Sequence, residues 1–511
     1  MFKHSLIPVL LLLLRVPGDS VGFQPRPTTA RPLMMGEWAD IAILRDGSDY
    51  YLAQSSGDYY PGIPIWHSKN LRDWKLLTYA VWNPQPHNLW VTDLAKDASG
   101  FHLQYGIAST GGGHILSARS ILGPWSDPKP TGLPPDGVLA ESSSGERFLF
   151  SSGYRIVPLK PGSFEAAGPA LDQPKWPVPE DLAIECLCPE APKVLMKDGW
   201  WHLLMAAGGT FGPSTSHMVL SARAKHPEGP WELSPYNPVT RTFSRHEPWW
   251  SKGHAQLIDG PDGNWFLIEH GILKDFRSLG RATLIEPVEW TPDGWFRVKE
   301  SWPKGWEGPA RVDLPFSDEF EGDALGLQWQ FHKRFDRSRF ELGGGKLLLA
   351  GRGADAGSSE PLTIQARHRA YQIEADIRVE GTGRAGLMLF RRPGSYLGYS
   401  ISADGVLRRE LAGHQKYRRQ YEPKIGTARV TLRIVNDWQD VRFYYRSEDG
   451  WKILQPGMEV SHGVSDPWNL RPALFATEGA RAAVESFRYT PLETDEQFHR
   501  WLLKQAERQA P

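Results

Sequence analysis

Cysteine is nearly missing: only Cys186 and Cys188 occur in 511 residues. Two are too few for a disulfide framework, and no second pair or nearby ligand set completes a zinc site. With one residue between them a mutual bridge is expected to be strained, so the pair reads as free or incidental thiols. An excess of one charge is missing as well. Lys plus Arg number 58 and Asp plus Glu 59, a formal balance of −1 with no block of like charge. That excludes the electrostatic footprint of a nucleic-acid partner or an acidic membrane surface. Long apolar runs are absent beyond the N-terminus. The one short run, Leu6 to Leu14, follows Lys3 and His4 and precedes Arg15 and a small, polar stretch to Gly22. It is too short to span a bilayer and has the layout of a signal peptide over residues 1–22. The mature chain is therefore expected to be secreted or periplasmic, with no membrane insertion after signal removal. Helical periodicity is nearly absent from the first 300 or so residues, which removes doubly wound α/β sheets.

What the chain has instead is aromatic surface and turn residues: 22 Trp, 16 Tyr and 21 Phe stand beside 51 Gly and 42 Pro. So much aromatic area argues against disorder. The Gly/Pro punctuation points to many short strands. One unit recurs: a short apolar strand, a Gly turn, then an aromatic-rich strand. Its turns are Asp46-Gly47, Ser99-Gly100, Ser144-Gly145, Asp198-Gly199 and Asp262-Gly263. Such dipeptides supply the positive φ of tight hairpins. Five repeats of roughly fifty residues, each with about four strands, describe an all-β, five-bladed β-propeller over residues 31–301.

Residues 302–313 are rich in Pro and Gly and read as a linker. Beyond them Tyr371 to Glu380 alternates without a fault, as a half-buried antiparallel strand should. Residues 314–491 therefore read as a β-sandwich. Thr494-Asp495-Glu496-Gln497 is a capping box ahead of a short C-terminal helix over residues 494–508.

Counting back from each turn Gly brings out the chemistry. Asp40 and Asp93 lie seven residues before theirs, and Asp136, Glu190 and His254 lie nine before theirs. Each blade thus places an ionisable residue at the start of its first strand, and in a propeller those strands line the axis. Carboxylates crowded there shift one another's pKa values apart, which is how acid and base roles are divided.

These residues resemble glycoside hydrolase family 43, five-bladed propeller enzymes acting on arabinose- and xylose-containing glycans. The segment from Gly36 to Gly47 is similar to the one bearing the family's catalytic base, which implies Asp40. Asp136 falls where the family keeps an Asp that tunes and orients the acid. Pro189-Glu190-Ala191-Pro192-Lys193 resembles the general-acid segment, which implies Glu190. Gly253-His254 resembles the axial His associated with a bound calcium ion or waters. Leu279-Gly280-Arg281-Ala282-Thr283 resembles the substrate-contacting Arg segment. Ile41 and Gly137 stand where the family usually has Pro, and Ala191 where it usually has Gly. The stretch from Phe316 to Trp329 resembles the start of the concanavalin A-like jelly roll appended to the family's β-xylosidases.

The resemblance implies an inverting hydrolase of terminal β-D-xylosyl or α-L-arabinofuranosyl residues in an oligo- or polysaccharide substrate. Asp40 would be the base, Glu190 the acid and Asp136 its modulator. Trp38, Trp90, Asp93 and Arg281 would form the substrate pocket. No cofactor is required for catalysis, and a structural calcium near the propeller axis would involve His254. Two other readings stay open. One is a carbohydrate-binding propeller without turnover. The other is a retaining fructosidase-like enzyme using Glu185-Cys186, which the register disfavours.

Overall fold

The computed structural model describes residues 28–508 apart from 84–87, 108–110, 133–134, 143, 153–154, 173, 177–185 and 415–420. The expected signal peptide and Glu185 lie outside the described residues.

Each repeat folds as one antiparallel sheet, because an apolar strand with a tight turn can bury its faces only between neighbours like itself. Blade I comprises Ala42–Asp46, Asp49–Ala53, Gly62–Ser68 and Asp73–Val81. Blade II runs Leu89–Asp97, Gly100–Ile107, Gly112–Ala118 and Lys129–Pro130, and blade III runs Gly137–Glu141, Arg147–Ser151, Arg155–Leu159 and Leu171–Asp172. Blade IV is built on Glu190–Lys197, Trp200–Ala207, Met218–Ala224 and Glu232–Leu233. Its Asp198-Gly199 turn has φ of 50° and 74°, the left-handed pair a two-residue hairpin needs. The first strands of successive blades touch in a closed ring, so they surround the axis.

Blade V joins two distant parts of the chain. Trp249–Asp259, Trp265–Leu273 and Arg281–Trp290 receive their outer neighbour from the N-terminal side, where Arg31–Met34 pairs with Arg281–Trp290 (Arg31 opposite Ile285). This clasp closes the ring. The segment read as a linker is likewise built in. Arg311–Asp313 adds a parallel strand to Asp73–Val81, and the Trp306 ring lies 4.2 Å from that of Phe266.

The second domain is a sandwich of a seven-stranded sheet and a sheet to which it gives six strands. In the strand Ala370–Gly381 the residues Ile373, Ala375, Ile377 and Val379 are buried, as the alternation requires. The other sheet runs continuously into the propeller, since its edge strand Gln330–His332 pairs with Tyr59–Tyr60 of the blade I region. At the end, Thr494 Oγ1 accepts from the Gln497 amide at 3.2 Å and Gln497 Oε1 accepts from the Thr494 amide at 2.8 Å. This reciprocal box starts the helix Asp495–Arg508. Among the described residues no helix is long and apolar enough to cross a membrane.

Candidate active site

The ring of first strands brings four of the five ionisable residues, Asp40, Asp136, Glu190 and His254, to one cavity. Asp40 (φ 51°), Asp136 (φ 63°), Ala191 (φ 51°) and His254 (φ 55°) all hold left-handed backbone. L residues there cost on the order of 1–3 kcal/mol each, so the surrounding structure must enforce it. This conformation thus recurs in four of the five blades, at or directly beside Asp40, Asp136, Glu190 and His254, all of which line one cavity. Ala191 stands where the resemblance expects Gly, and its positive φ is the reason Gly suits that place.

Asp40 is buried and clasped by Arg281, whose Nη1 and Nη2 donate to its two oxygens at 3.0 and 3.4 Å. Arg281 is itself fixed by Glu37: its backbone amide and its Nε each donate to that carboxylate at 2.8 Å. The neighbouring Gly280 (φ 80°) must be glycine, because a Cβ there would sit 2.2 Å from Glu37 Oε2. Burial works to raise Asp40, but Arg281, His254 and a hydrogen bond from Ser55 outweigh it and hold the carboxyl below its ordinary range. Asp40 is therefore a charged carboxylate at neutral pH.

Glu190 is the opposite case. Burial first, then the charges of Asp136 and Asp40, push its pKa to about 8 against the pull of Arg281. Asp136 rises to about 6, mainly by burial, opposed by the Ala191 amide and by Lys193. That amide donates to Asp136 Oδ2 at 2.5 Å and ties the modulator to the residue directly after Glu190. One carboxyl kept charged and another kept protonated is the division of labour that acid–base catalysis requires.

Around these groups lies a cavity of about 970 Å³ lined by Asp40, Asp136, Glu190, His254, Arg281 and Trp90, among others. Two expected residues are elsewhere. Trp38 is 2 % exposed and packs edge-on against Trp66 at 5.3 Å, so it belongs to the apolar core and offers no face to a sugar. Asp93 is buried within the strand Leu89–Asp97 and does not line the cavity. A bulge between Val91 and Asp93 moves it inside the strand, where Lys193 is its countercharge. His254 also lies inside its strand, not at the start, but it still reaches the cavity.

His254 and His270 stand against Asp40, with Nδ1 atoms 3.5 and 3.8 Å from Oδ1. Burial holds both rings neutral, His254 down to about 3. Calcium takes six to eight oxygen ligands. The His254, His270 and Asp40 group offers two imidazole rings and one carboxylate, and Arg281 already occupies both of its oxygens. That donor set does not fit a calcium ion, and no step below uses one.

Sequence reasoning missed several members of the site. Glu37 lies within the quoted Gly36 to Gly47 segment, yet nothing in its spacing marked it. His217 stacks on His270 at 5.4 Å, and Gly253 exists for it, because a Cβ there would meet His217 Cδ2 at 2.2 Å. The sandwich supplies Arg391, Trp468 and Asn469 to the cavity wall. The amides of Asn469 and Leu470 donate to the carbonyls of Arg277 and Ser278, just before Arg281, at 3.0 and 2.8 Å. Trp468 meets the exposed Phe211 ring of blade IV at 4.8 Å.

The cysteines also depart from expectation. Cys186 and Cys188 are joined in a disulfide, with Cα atoms 5.2 Å apart, well inside the range a bridge spans. The left-handed Cys188 (φ 38°) turns the chain enough to close it. Cys186 is thus no thiol partner for a retaining acid.

A propeller cavity with such paired carboxyl groups belongs with the glycoside hydrolases, and the family follows from the chain itself. The chain belongs to Glycosyl hydrolases family 43, whose pattern matches residues 29–296, and a Beta xylosidase C-terminal Concanavalin A-like domain matches residues 317–476. It is 29% identical to a non-reducing end alpha-L-arabinofuranosidase of Bacteroides ovatus over 74% of this chain and 75% of that protein. It is 27% identical to a xylosidase/arabinosidase of Humicola insolens over 85% of this chain and 90% of that one. In fold it is similar to the GH43 BlXynB protein of Bacillus licheniformis, with a TM-score of 0.78 at 23% identity over 90% and 99% of the two chains.

Proposed function

We propose that this chain is an exported, exo-acting, inverting glycosidase that removes terminal β-D-xylosyl or α-L-arabinofuranosyl residues from plant-type glycans. The observation that carries the reading is the opposed state of two carboxyl groups in one cavity. Asp40 is held ionised by Arg281, and Glu190 is held protonated to about pH 8.

In the reaction a water attacks the anomeric carbon while the bond to the leaving oxygen breaks. Asp40 takes a proton from that water, and Glu190 gives its own to the departing oxygen. Asp136 keeps Glu190 protonated and, through the Ala191 amide, fixes the backbone beside it. Trp90, 36 % exposed at the cavity wall, offers an apolar face to the sugar. Arg391, Trp468 and Asn469 close one side, which favours a chain end over an internal stretch. Both sugars are named among the relatives, and both present similar hydroxyls to such a pocket. The N-terminal apolar run and the disulfide support export, since disulfides persist in oxidising compartments.

The test is hydrolysis of aryl β-D-xyloside and aryl α-L-arabinofuranoside by wild type, Asp40→Asn and Glu190→Gln. The reading expects turnover of at least one glycoside by wild type. It expects loss of three or more orders of magnitude in Asp40→Asn and a strong reduction in Glu190→Gln, with sugar binding retained. Activity untouched by both substitutions sinks the assignment, and sugar binding without wild-type turnover supports the carbohydrate-binding alternative.

A further inference from the structure

We propose that the Cys186–Cys188 disulfide is a positioning element for Glu190, so that the site responds to reduction. The proposal rests on Glu190 being the acid of the reading above.

The geometry is local and tight. Cys188 lines the cavity, and only Pro189 separates it from Glu190. The Pro189 ring fixes φ at about −65°. The bridge constrains Cys188, which holds φ 38°, a region L residues seldom occupy unforced. With Pro189 φ fixed, the only soft backbone torsions left between Cys188 Cα and Glu190 Cα are Cys188 ψ and Pro189 ψ. On its other side Glu190 is followed by Ala191, anchored on Asp136. The acid is therefore clamped from both directions, by a covalent ring before it and a hydrogen bond after it.

The same ring holds a second piece of the wall. The carbonyl of Leu187, between the cysteines, accepts from the Gly208 amide at 2.8 Å. Gly208 begins the loop that puts Thr210 and Phe211 on the cavity, and its own carbonyl bonds His217 Nδ1 at 2.6 Å. Opening the ring frees the Cys188 backbone to leave its left-handed value. Both the acid and this loop then lose their common anchor.

The chemistry is thiol–disulfide exchange. A thiolate of an added dithiol attacks one sulfur and the Cys186–Cys188 bond breaks. The reagent's second thiol then resolves the mixed disulfide. The protein gains two electrons and two protons, and the reagent leaves as its cyclic disulfide.

The groups facing Glu190 are Asp136 of blade III, Asp40 of blade I and Arg281 of blade V. Loosening the acid moves it from the two carboxylates toward water, which favours its ionised form.

The experiment compares the full-length protein before and after dithiothreitol with Cys186→Ser/Cys188→Ser and with Cys186→Ala. Thiols are first counted in the denatured, unreduced protein. The proposal expects none, and two after reduction. Glu190 is then titrated through its carboxyl infrared band, using Glu190→Gln as the blank, and kcat and KM are measured across pH on an aryl glycoside. Reduction is expected to lower the Glu190 pKa and the basic limb of the rate profile together by about one unit. kcat should fall on the order of 10-fold to 100-fold with KM little changed, as for a misplaced reacting group. Reoxidation should restore both, and the serine pair should copy the reduced state.

Free thiols in the unreduced protein overturn the proposal. So does a Glu190 titration that neither reduction nor substitution moves. If the titration moves as expected but wild type hydrolyses neither glycoside, the positioning role stands and the hydrolase reading fails. Reduced wild type serves as the second measurement should the serine pair not fold.

Discussion

Replacing Asp136 by Asn removes one negative charge beside Glu190 and keeps the side chain's shape. The amide oxygen can still accept from the Ala191 N–H, so the backbone next to the acid is preserved. Burial is the largest cause of the high Glu190 pKa and is untouched, and Asp136 is the second. As the second cause after burial, this carboxylate is taken at about 1–2 pKa units, the lower part of the range for a charge at close range. Glu190 should therefore fall from about 8 to roughly 6–7 and remain above its ordinary value of 4.5. At pH 7.5 the protonated, catalytically competent fraction then drops from roughly three quarters to about a tenth. The assay is kcat against pH with an aryl xyloside or arabinofuranoside for wild type and Asp136→Asn. The basic limb should move down by about 1–2 units, with most of the loss recovered near pH 5.5. A limb that stays in place, or moves up, would refute the claim that Asp136 keeps the acid protonated.

Glu190→Gln should stabilise the protein in alkali. Because the folded pKa is raised, the wild-type side chain contributes its stability fully below about 4.5 and loses it as pH rises through about 8. The variant's unfolding free energy should gain on wild type from about pH 4.5 to about pH 8 and then level off, by about 3–5 kcal/mol at most. A gap constant with pH would contradict the buried-acid assignment. Gly280→Ala forces Glu37 away from Arg281 and loosens the clasp on Asp40. The acidic limb of the rate profile should rise, since burial then raises Asp40 against a weaker pull from Arg281, with His254 and Ser55 still opposing it. Trp249→Ala should cost about 3–5 kcal/mol in denaturant unfolding. That ring is fully buried and its Nε1 donates to the Ala30 carbonyl at 3.2 Å, beside the clasp strand.

The repeat was legible because hairpin chemistry is local. A Gly turn, its flanking strands and the carboxylate seven or nine residues earlier all fall within one short window. That window was enough to group Asp40, Asp136, Glu190 and His254, which the fold brings to one cavity. It failed where a bulge shifted the strand, as at Asp93. It also failed for Trp38, whose type alone could not tell a sugar platform from a core ring. The clasp strand Arg31–Met34 pairs some 250 residues away, and no local period marks such a partner. Glu37 is known as a site residue only once Arg281 arrives from blade V. Arg391 and Trp468 need the docking of two domains before they meet the axis. The cysteine pair was misread because spacing alone does not report the left-handed turn at Cys188.

The central claim is that Asp40 activates water on the face opposite the bond that Glu190 protonates. The configuration of the sugar at the instant of release tests it most directly. Proton NMR of the first minutes of hydrolysis, on whichever aryl glycoside the wild type turns over, reads that configuration before mutarotation blurs it. Attack by that water releases the inverted anomer first, α-xylose from a β-xyloside or β-arabinose from an α-arabinofuranoside. First release of the retained anomer would contradict it, because one of the two carboxylates would then have attacked the sugar itself.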